Sequence, residues 1–379
     1  MTTAAPTLEA LRHAQQLAFT AGSEELEVGD PAGLPLTLDT LARLGAGSPE
    51  VLQHLDAGLT ANVFRLRDPA GREWTLKRAR PQALVRNVDG QTSFLNEVQR
   101  RADVERLKHE PGGEARWRAI VDTRYASFRR GIILSPWIAG EVVHEWDERR
   151  LEQVFETICA LWVEGLFEWD LSPGNILDDG TQLRLFDFGY MYRFDPLRHF
   201  NTAGHGADEP VFHPAERFET RNHCAWLLQL ERSGGMAPAL AAFRREKEIA
   251  LEAYRRMRAR IAARGAEATV LHWLDGITTR WSDALRGDGA ALYLAENWRS
   301  HVLDLDDDLR GQTCTPMTLQ RADWILAALR DHHDALQQHD AFLWGDRGQG
   351  QAVLLERYAA QRRQAQKFQV RSGGAELRG

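Results

Sequence analysis

Three cysteines in 379 residues, Cys159, Cys224 and Cys314, are too few and too scattered for a disulfide framework. No CxxC occurs, so no zinc ribbon is expected, and a reducing compartment fits this usage. No apolar run approaches the ~18 residues needed to span a bilayer. Residues 1–18 lack a basic stretch followed by an apolar one, so they read as a helix rather than a secretion signal. The expected compartment is the cytoplasm. An excess of positive charge is also missing. The formal net charge of −7 argues against nucleic acid and against an anionic membrane as partners. Methionine is sparse and forms no stripe. There is no internal repeat and no low-complexity segment.

What is present is a hydrophobic fraction of 43%, enough for a large core. Leu8, Leu11 and Leu17 sit at roughly helical spacing, and Gly22 to Pro35 reads as a loop. From about 51 the texture becomes strand-like. Val63, Phe64 and Leu66 precede the turn signal Asp68-Pro69-Ala70-Gly71, and Glu73 to Arg78 returns, which predicts a hairpin. Residues 92–107 predict a helix. Trp117–Tyr125 and Arg130–Leu134 predict a strand pair. Leu151, Val154, Phe155, Ile158, Leu161 and Trp162 form a wide helical face. Ile176-Leu177, a turn at Asp179-Gly180 and Leu183–Phe186 predict a second hairpin. Helices with Arg/Ala-rich faces follow to about 365, and the Arg- and Gln-rich tail after 360 is expected to fray. Strands first and helices after is an α+β arrangement.

The chemistry is densest in Glu168-Trp169-Asp170-Leu171-Ser172-Pro173-Gly174-Asn175 and in Asp187-Phe188-Gly189. An Asp and an Asn five apart on a loop, then an Asp after a strand, suit phosphoryl transfer. One carboxylate orients a hydroxyl, while the amide oxygen and second carboxylate are hard ligands for Mg²⁺. These residues resemble the protein-kinase-like superfamily: Asp170 and Asn175 match the catalytic-loop D-x-x-x-x-N, and Asp187-Phe188-Gly189 matches DFG. The Asp-Leu-Ser-Pro-Gly-Asn wording is similar to the RIO-type and aminoglycoside or choline phosphotransferase branches. The resemblance spans roughly 50–310.

It implies further residues upstream. Trp74-Thr75-Leu76-Lys77 resembles the strand that bears the phosphate-binding lysine. Glu97, 20 residues on, resembles its helix-borne partner. Gly58, Thr60 and Val63 are similar to a degenerate glycine-rich loop. Ser135-Pro136-Trp137-Ile138 resembles the hinge, with Ser135 at the back of the adenine pocket and the backbone around Trp137 and Ile138 contacting the base. The implied cofactors are ATP and Mg²⁺. Asp170, Lys77 and Glu97 are the expected catalytic residues, and Asn175 and Asp187 the metal ligands.

The implied fold is bilobal, an antiparallel-sheet lobe over 49–136 and a mostly helical lobe over 137–309. Extensions at 1–48 and 310–379 flank them. The implied activity is ATP-dependent phosphoryl transfer to a hydroxyl, first that of an atypical serine/threonine protein kinase. A small-molecule kinase, a weakly catalytic scaffold and a nucleotidyl transferase stay open.

Departures from the family pattern shape further expectations. Glu168 and Trp169 replace the His and Arg before the catalytic Asp, and Trp169 is expected to pack into the helical lobe. Pro214-Ala215-Glu216 resembles the end of an activation segment, which favours a protein acceptor. His199, His205 and His213 fit no standard zinc spacing. Asp304, Asp306, Asp307 and Asp308 lack the glycine and final Glu of a calcium loop and read as a solvated helix start.

Overall fold

The computed structural model describes residues 7–55, 60–85, 87–203 and 212–370. They form two compact units: residues up to 143 with 166–194, and 144–165 with 195 onward. The first carries the sheet and the second is helical, so the chain is α+β, with a small antiparallel N-terminal sheet region and a larger helical part. No described helix is long and apolar enough to cross a membrane.

The first unit begins with α1 (Leu8–Ala21), β1 (Glu27–Val28) and α2 (Leu38–Arg43). It continues with β2 (Val51–Leu55), β3 (Ala61–Arg67), β4 (Glu73–Ala79), α3 (Val88–Lys108), α4 (Gly113–Arg116), β5 (Tyr125–Ser127), β6 (Ile132–Pro136) and β7 (Glu141–Val142). The sheet order is β1-β5-β6-β4-β3-β2, every pair antiparallel. Asp68 makes the β3–β4 turn, accepting from the backbone N–H of Ala70 and Arg72 at 2.9 Å each.

Strand period two decides what each sheet face carries. Phe64, Leu66, Trp74, Leu76, Ile132 and Leu134 pack on one face, covered by Leu41 and Leu44 from α2 and its C-terminal end. Ala61 and Ile133 pack on the other, against Phe94 and Val98 of α3. Lys77, one residue from Leu76, therefore faces α3, with Val63 and Ile133 as its cross-strand neighbours.

The α3 helix starts earlier than the apolar pattern suggests. Asn87 caps it, accepting from Gly90 N at 2.7 Å. A side chain at Gly90 would place its Cβ 2.7 Å from the Val85 carbonyl, so glycine lets the loop from β4 close against the first turn. The expected strand at Trp117–Tyr125 is corrected: Trp117 follows α4 in a turn, its N–H on Gly113 O at 2.9 Å and its ring buried. Only its last residue, Tyr125, enters a strand.

After α5 (Glu148–Val163) of the second unit, the chain returns to the first with β8 (Leu166–Glu168), β9 (Ile176–Asp178), β10 (Leu183–Leu185) and β11 (Met191–Arg193). β9 and β10 form the expected hairpin, β7 extends it, and β8 pairs with β11. Trp169 thus belongs to the sheet-bearing unit, not the helical one. It is half-buried, with its ring 4.8 Å from Phe167.

The second unit continues with α6 (Pro214–Phe218), a π-helical turn at Glu219–His223, α7 (Cys224–Gly234), α8 (Met236–Ala263), α9 (Ala268–Arg286), α10 (Ala290–Gly311), α11 (Pro316–Gln338) and α12 (Gln351–Lys367). One cluster joins Trp298, Leu305, Ile325, Leu329, Leu354 and Tyr358, so residues beyond 310 share their core with α10. The expected fraying after 360 is corrected as far as residue 370: α12 runs to Lys367 and Gln369 bridges Cys314, while the rest of that tail lies outside the described residues.

The aspartate run is corrected in its position and at Asp304, while Asp307 is exposed as expected. The run lies in the last turns of α10, and Asp304 is buried between Arg221 at 2.7 Å and Arg321 at 3.0 Å. His213 caps α6 and meets the Tyr254 hydroxyl at 2.8 Å, while His205 lies outside the described residues.

Candidate active site

The sheet and α3 bring together two groups that are 20 residues apart in sequence. Lys77 Nζ donates to Glu97 at 2.9 and 3.0 Å, and it reaches Asp187 Oδ2 at 2.9 Å. Lys77 is 6% exposed and Glu97 4%. Burial alone pushes the Lys77 ammonium toward neutrality, but the Asp187 and Glu97 charges outweigh it and raise its pKa above the usual value. At Asp187 burial pushes the carboxyl up. Lys77, the Gly189 N–H and Arg101 more than offset that, so Asp187 is held below the ordinary carboxylate range. Both groups are ionised at neutral pH.

Asp170 and Asn175 meet on the loop between β8 and β9. Asn175 Nδ2 donates to the Asp170 carboxylate and to its carbonyl, both at 3.0 Å. Asp170 N donates to Glu168 Oε1 at 2.8 Å. Glu168 is buried and its Oε2 has no hydrogen-bond partner among the described residues. Burial pushes its carboxyl well above the usual range; the Asp170 N–H opposes this and the Asp170 and Asp187 charges reinforce it. The protonated form of Glu168 is thus favoured over what an exposed carboxyl would show.

The donor set suits a hard divalent cation. Asp187 offers a carboxylate that is 39% exposed and ionised. Asn175 uses its Nδ2 on Asp170, which leaves its amide oxygen as a second hard donor. Among the described residues another acidic group, Glu9, His13 and Asp89, is close-set, but the Arg12 guanidinium already sits 2.7 Å from Asp89.

Of the other residues singled out in the sequence, Val63 lies directly opposite Lys77. Thr60 lines a cavity of about 380 Å³ with Ala79, Arg80, Ser93 and Phe94. Ala79 shares the Lys77 face of β4 and Phe94 lies one turn before Glu97, but neither Lys77 nor Glu97 lines this cavity. Gly58 lies outside the described residues. Ser135, on the same face as Lys77, is 4% exposed and accepts from Arg101 Nη1 at 2.8 Å. Trp137 differs from the expectation: its N–H donates to Glu73 O at 3.1 Å and continues the sheet, while its ring lies under Arg65 at 4.5 Å. Ile138 is half-buried.

Sequence reading missed Arg101. It is 2% exposed and donates to Glu97 at 2.9 Å, to Ser135 and to the Phe186 carbonyl at 2.8 Å, 5.3 Å from the Phe188 ring. The available signal was its spacing: four residues after Glu97, it shares that face of α3. Glu97 therefore has two cations on it, one from β4 and one from its own helix.

No protein-family model matches this chain, and no curated protein matches it. Among solved structures it is similar to the Rio2 kinase–ADP/Mg²⁺–phosphoaspartate complex from Chaetomium thermophilum, at 17% identity over 65% of this chain and 76% of that one, with a TM-score of 0.32. A second Rio2 kinase structure from that organism matches at 18% identity over 56% and 78%, TM-score 0.31. The PknI kinase domain of M. tuberculosis matches at 17% over 63% and 99%, TM-score 0.31. Similarity at this level carries no weight by itself, and any function rests on the side-chain geometry.

Proposed function

We propose that this chain is an ATP-dependent phosphotransferase that uses Mg²⁺ and transfers the γ-phosphate to a hydroxyl, with a serine or threonine of a protein as the first acceptor class to test. One observation carries the reading: a buried, charged Lys77 held at 2.9 Å by both Glu97 and Asp187. Burying the Lys77–Glu97 pair costs stability unless both partners are fully bonded, and an apolar core would fill that space more cheaply. A lysine fixed by one carboxylate and adjoining an exposed second one is suited to receive phosphate oxygens as the second takes a metal.

Each residue then has a task. Lys77 binds the α/β-phosphates and Glu97, steadied by Arg101, orients it. Asn175 and Asp187 hold Mg²⁺, which when bound neutralises phosphate charge. Asp170, aimed by the Asn175 amide, accepts the hydrogen bond of the attacking hydroxyl and takes its proton. Val63 packs on the adenine. Ser135 lies at the back of that pocket. The Trp137 N–H is used by the sheet, so strand alternation leaves the Pro136 carbonyl and Ile138 N–H for the base.

The test is incubation with Mg²⁺ and, separately, γ- and α-labelled ATP, with a mixed protein acceptor and a panel of hydroxylated small molecules. Label from the γ-position alone, on protein, is the expected result. Transfer only to a small molecule would reassign the acceptor. Label from the α-position would replace phosphoryl by nucleotidyl transfer, and no transfer or nucleotide binding would end the proposal.

A further inference from the structure

The metal-binding carboxylate proposed above sits in a segment whose carbonyls are strapped to α3. Asn96 Nδ2 lies 3.2 Å from Phe188 O, 3.0 Å from Gly189 O and 2.7 Å from Met191 O. Arg101 donates to Phe186 O at 2.8 Å. Carbonyls on both sides of Asp187 thus accept from one helix. Asn96 is fully buried and touches none of the groups proposed to react.

An amide can be turned by half a rotation at little steric cost. Turned over, Asn96 would place its oxygen against those carbonyl oxygens. What fixes it comes from α1. Gln16 Nε2 donates to Asn96 Oδ1 at 3.1 Å, and the Thr92 hydroxyl lies 3.1 Å from Gln16 Oε1. Gln16 is 4% exposed and Thr92 1%. A helix that merely covered α3 would do so better with an apolar residue at 16, because a buried amide costs stability unless it is fully bonded. A second tie runs in parallel: Asp89 of α3 accepts from Arg12 at 2.7 Å and from the Tyr192 hydroxyl of β11 at 3.0 Å, with Arg12 stacked 3.6 Å over the Tyr192 ring. Both ties join α1 and α3 to the residues directly after Asp187.

We infer that Asn96 is a positioning residue for Asp187, and that α1 is part of the same device, with Gln16 setting the direction of the Asn96 amide. Its consequence for metal affinity rests on the function proposed above; the mechanical link does not. The N-terminal helix thereby acquires a role in the site rather than beside it.

Gln16→Leu keeps the bulk and removes both hydrogen bonds, and Gln16→Met keeps the unbranched length and likewise offers Asn96 no donor. In both, amide hydrogen exchange over residues 188–191 is expected to accelerate several-fold, with the middle of α3 unchanged. The Mg²⁺ concentration needed for half-maximal ATP binding should rise roughly tenfold, as for other groups that orient a metal ligand, with Mg²⁺-free ATP binding unaltered. Exchange over 188–191 equal to the parent's in both variants would overturn the inference. So would acceleration spread evenly over the unit, which would make α1 a cover only. Should the parent chain bind no Mg·ATP, the proposed function falls, while the exchange experiment still decides the positioning.

Discussion

Asn175 donates through its side-chain amide to the carboxylate of Asp170 at 3.0 Å, closing the loop between them into a fixed turn. The same five-residue spacing that marked the pair in the sequence therefore has a local mechanical reason. Asn175→Ala removes both a proposed metal ligand and the restraint on the proposed base. It should lower kcat by roughly 10²–10⁴-fold, the range for a positioned acid or base, with the melting temperature little changed. Asp170→Asn should lose as much rate while keeping Mg·ATP affinity. Near-parental turnover, measured by γ-phosphate transfer, would remove from the mechanism whichever of the two residues was replaced.

Lys77→Met tests the ammonium at the centre of the site. Glu97 keeps Arg101 at 2.9 Å, so it is not left as an isolated buried charge. The expected stability loss is therefore well under the about 3–5 kcal/mol typical of breaking a buried pair, while transfer falls by roughly 10²-fold or more. Glu97→Gln should lose less rate. Denaturant titration beside the transfer assay separates the two effects, and full rate in both variants would mean the sheet residues have no part in the reaction.

Glu168 links stability to pH. Burial, reinforced by the Asp170 and Asp187 charges, raises its folded pKa well above the ordinary 4.5. A raised carboxyl contributes stability that is fully present below the unfolded pKa and is lost as pH rises through the folded one. Glu168→Gln carries no such charge. Melting curves taken upward from about pH 4.5 should therefore fall less steeply for this variant than for the parent. Parallel slopes would show that Glu168 is ionised in the fold.

The helical unit buries Lys247 completely, 2.6 Å from Glu219 and 3.4 Å from Glu246, with Glu296 as a third partner. Burial and the Glu296 charge push Glu246 up to about 7 against the pull of Lys247. Lys247→Met strands these carboxylates and should cost about 3–5 kcal/mol at neutral pH. The deficit should shrink as pH falls and the carboxylates take up protons. Urea unfolding at pH 5 and pH 8 checks it; a pH-independent deficit would mean a packing defect.

Between Asp187 and Glu216 the only serine or threonine is Thr202. The segment 186–191 is already held by Arg101 and Asn96. Thr202→Ala should therefore leave the rate unchanged, and mass spectrometry of active protein should find Thr202 unmodified. Trp169→Ala should cost less than the about 3–5 kcal/mol of a fully buried ring, because Trp169 is half-buried. A phosphorylated Thr202 whose removal abolishes activity would show that ordering comes from outside α3.

The sequence by itself determined what local rules govern. Strand alternation put Lys77 on the opposite face from Leu76. Asp68 and Asp179 wrote their turns. The spacing of Asp170, Asn175 and Asp187 was legible because those residues act within one short stretch of loop and hairpin. Tertiary structure decided the rest. The buried contacts of Arg101, Asn96 and Gln16 depend on which side chains meet across α1, α3 and the 186–191 segment, and no short-range pattern in an otherwise charged helix distinguishes a buried arginine from a solvated one. Asp304, in the acidic run at the end of α10, read as solvated because its partners, Arg221 and Arg321, are supplied by distant segments. The Trp137 N–H joined the sheet because β4 was there to accept it. Periodicity fixes which way a residue faces; only the packed neighbour fixes what it meets there.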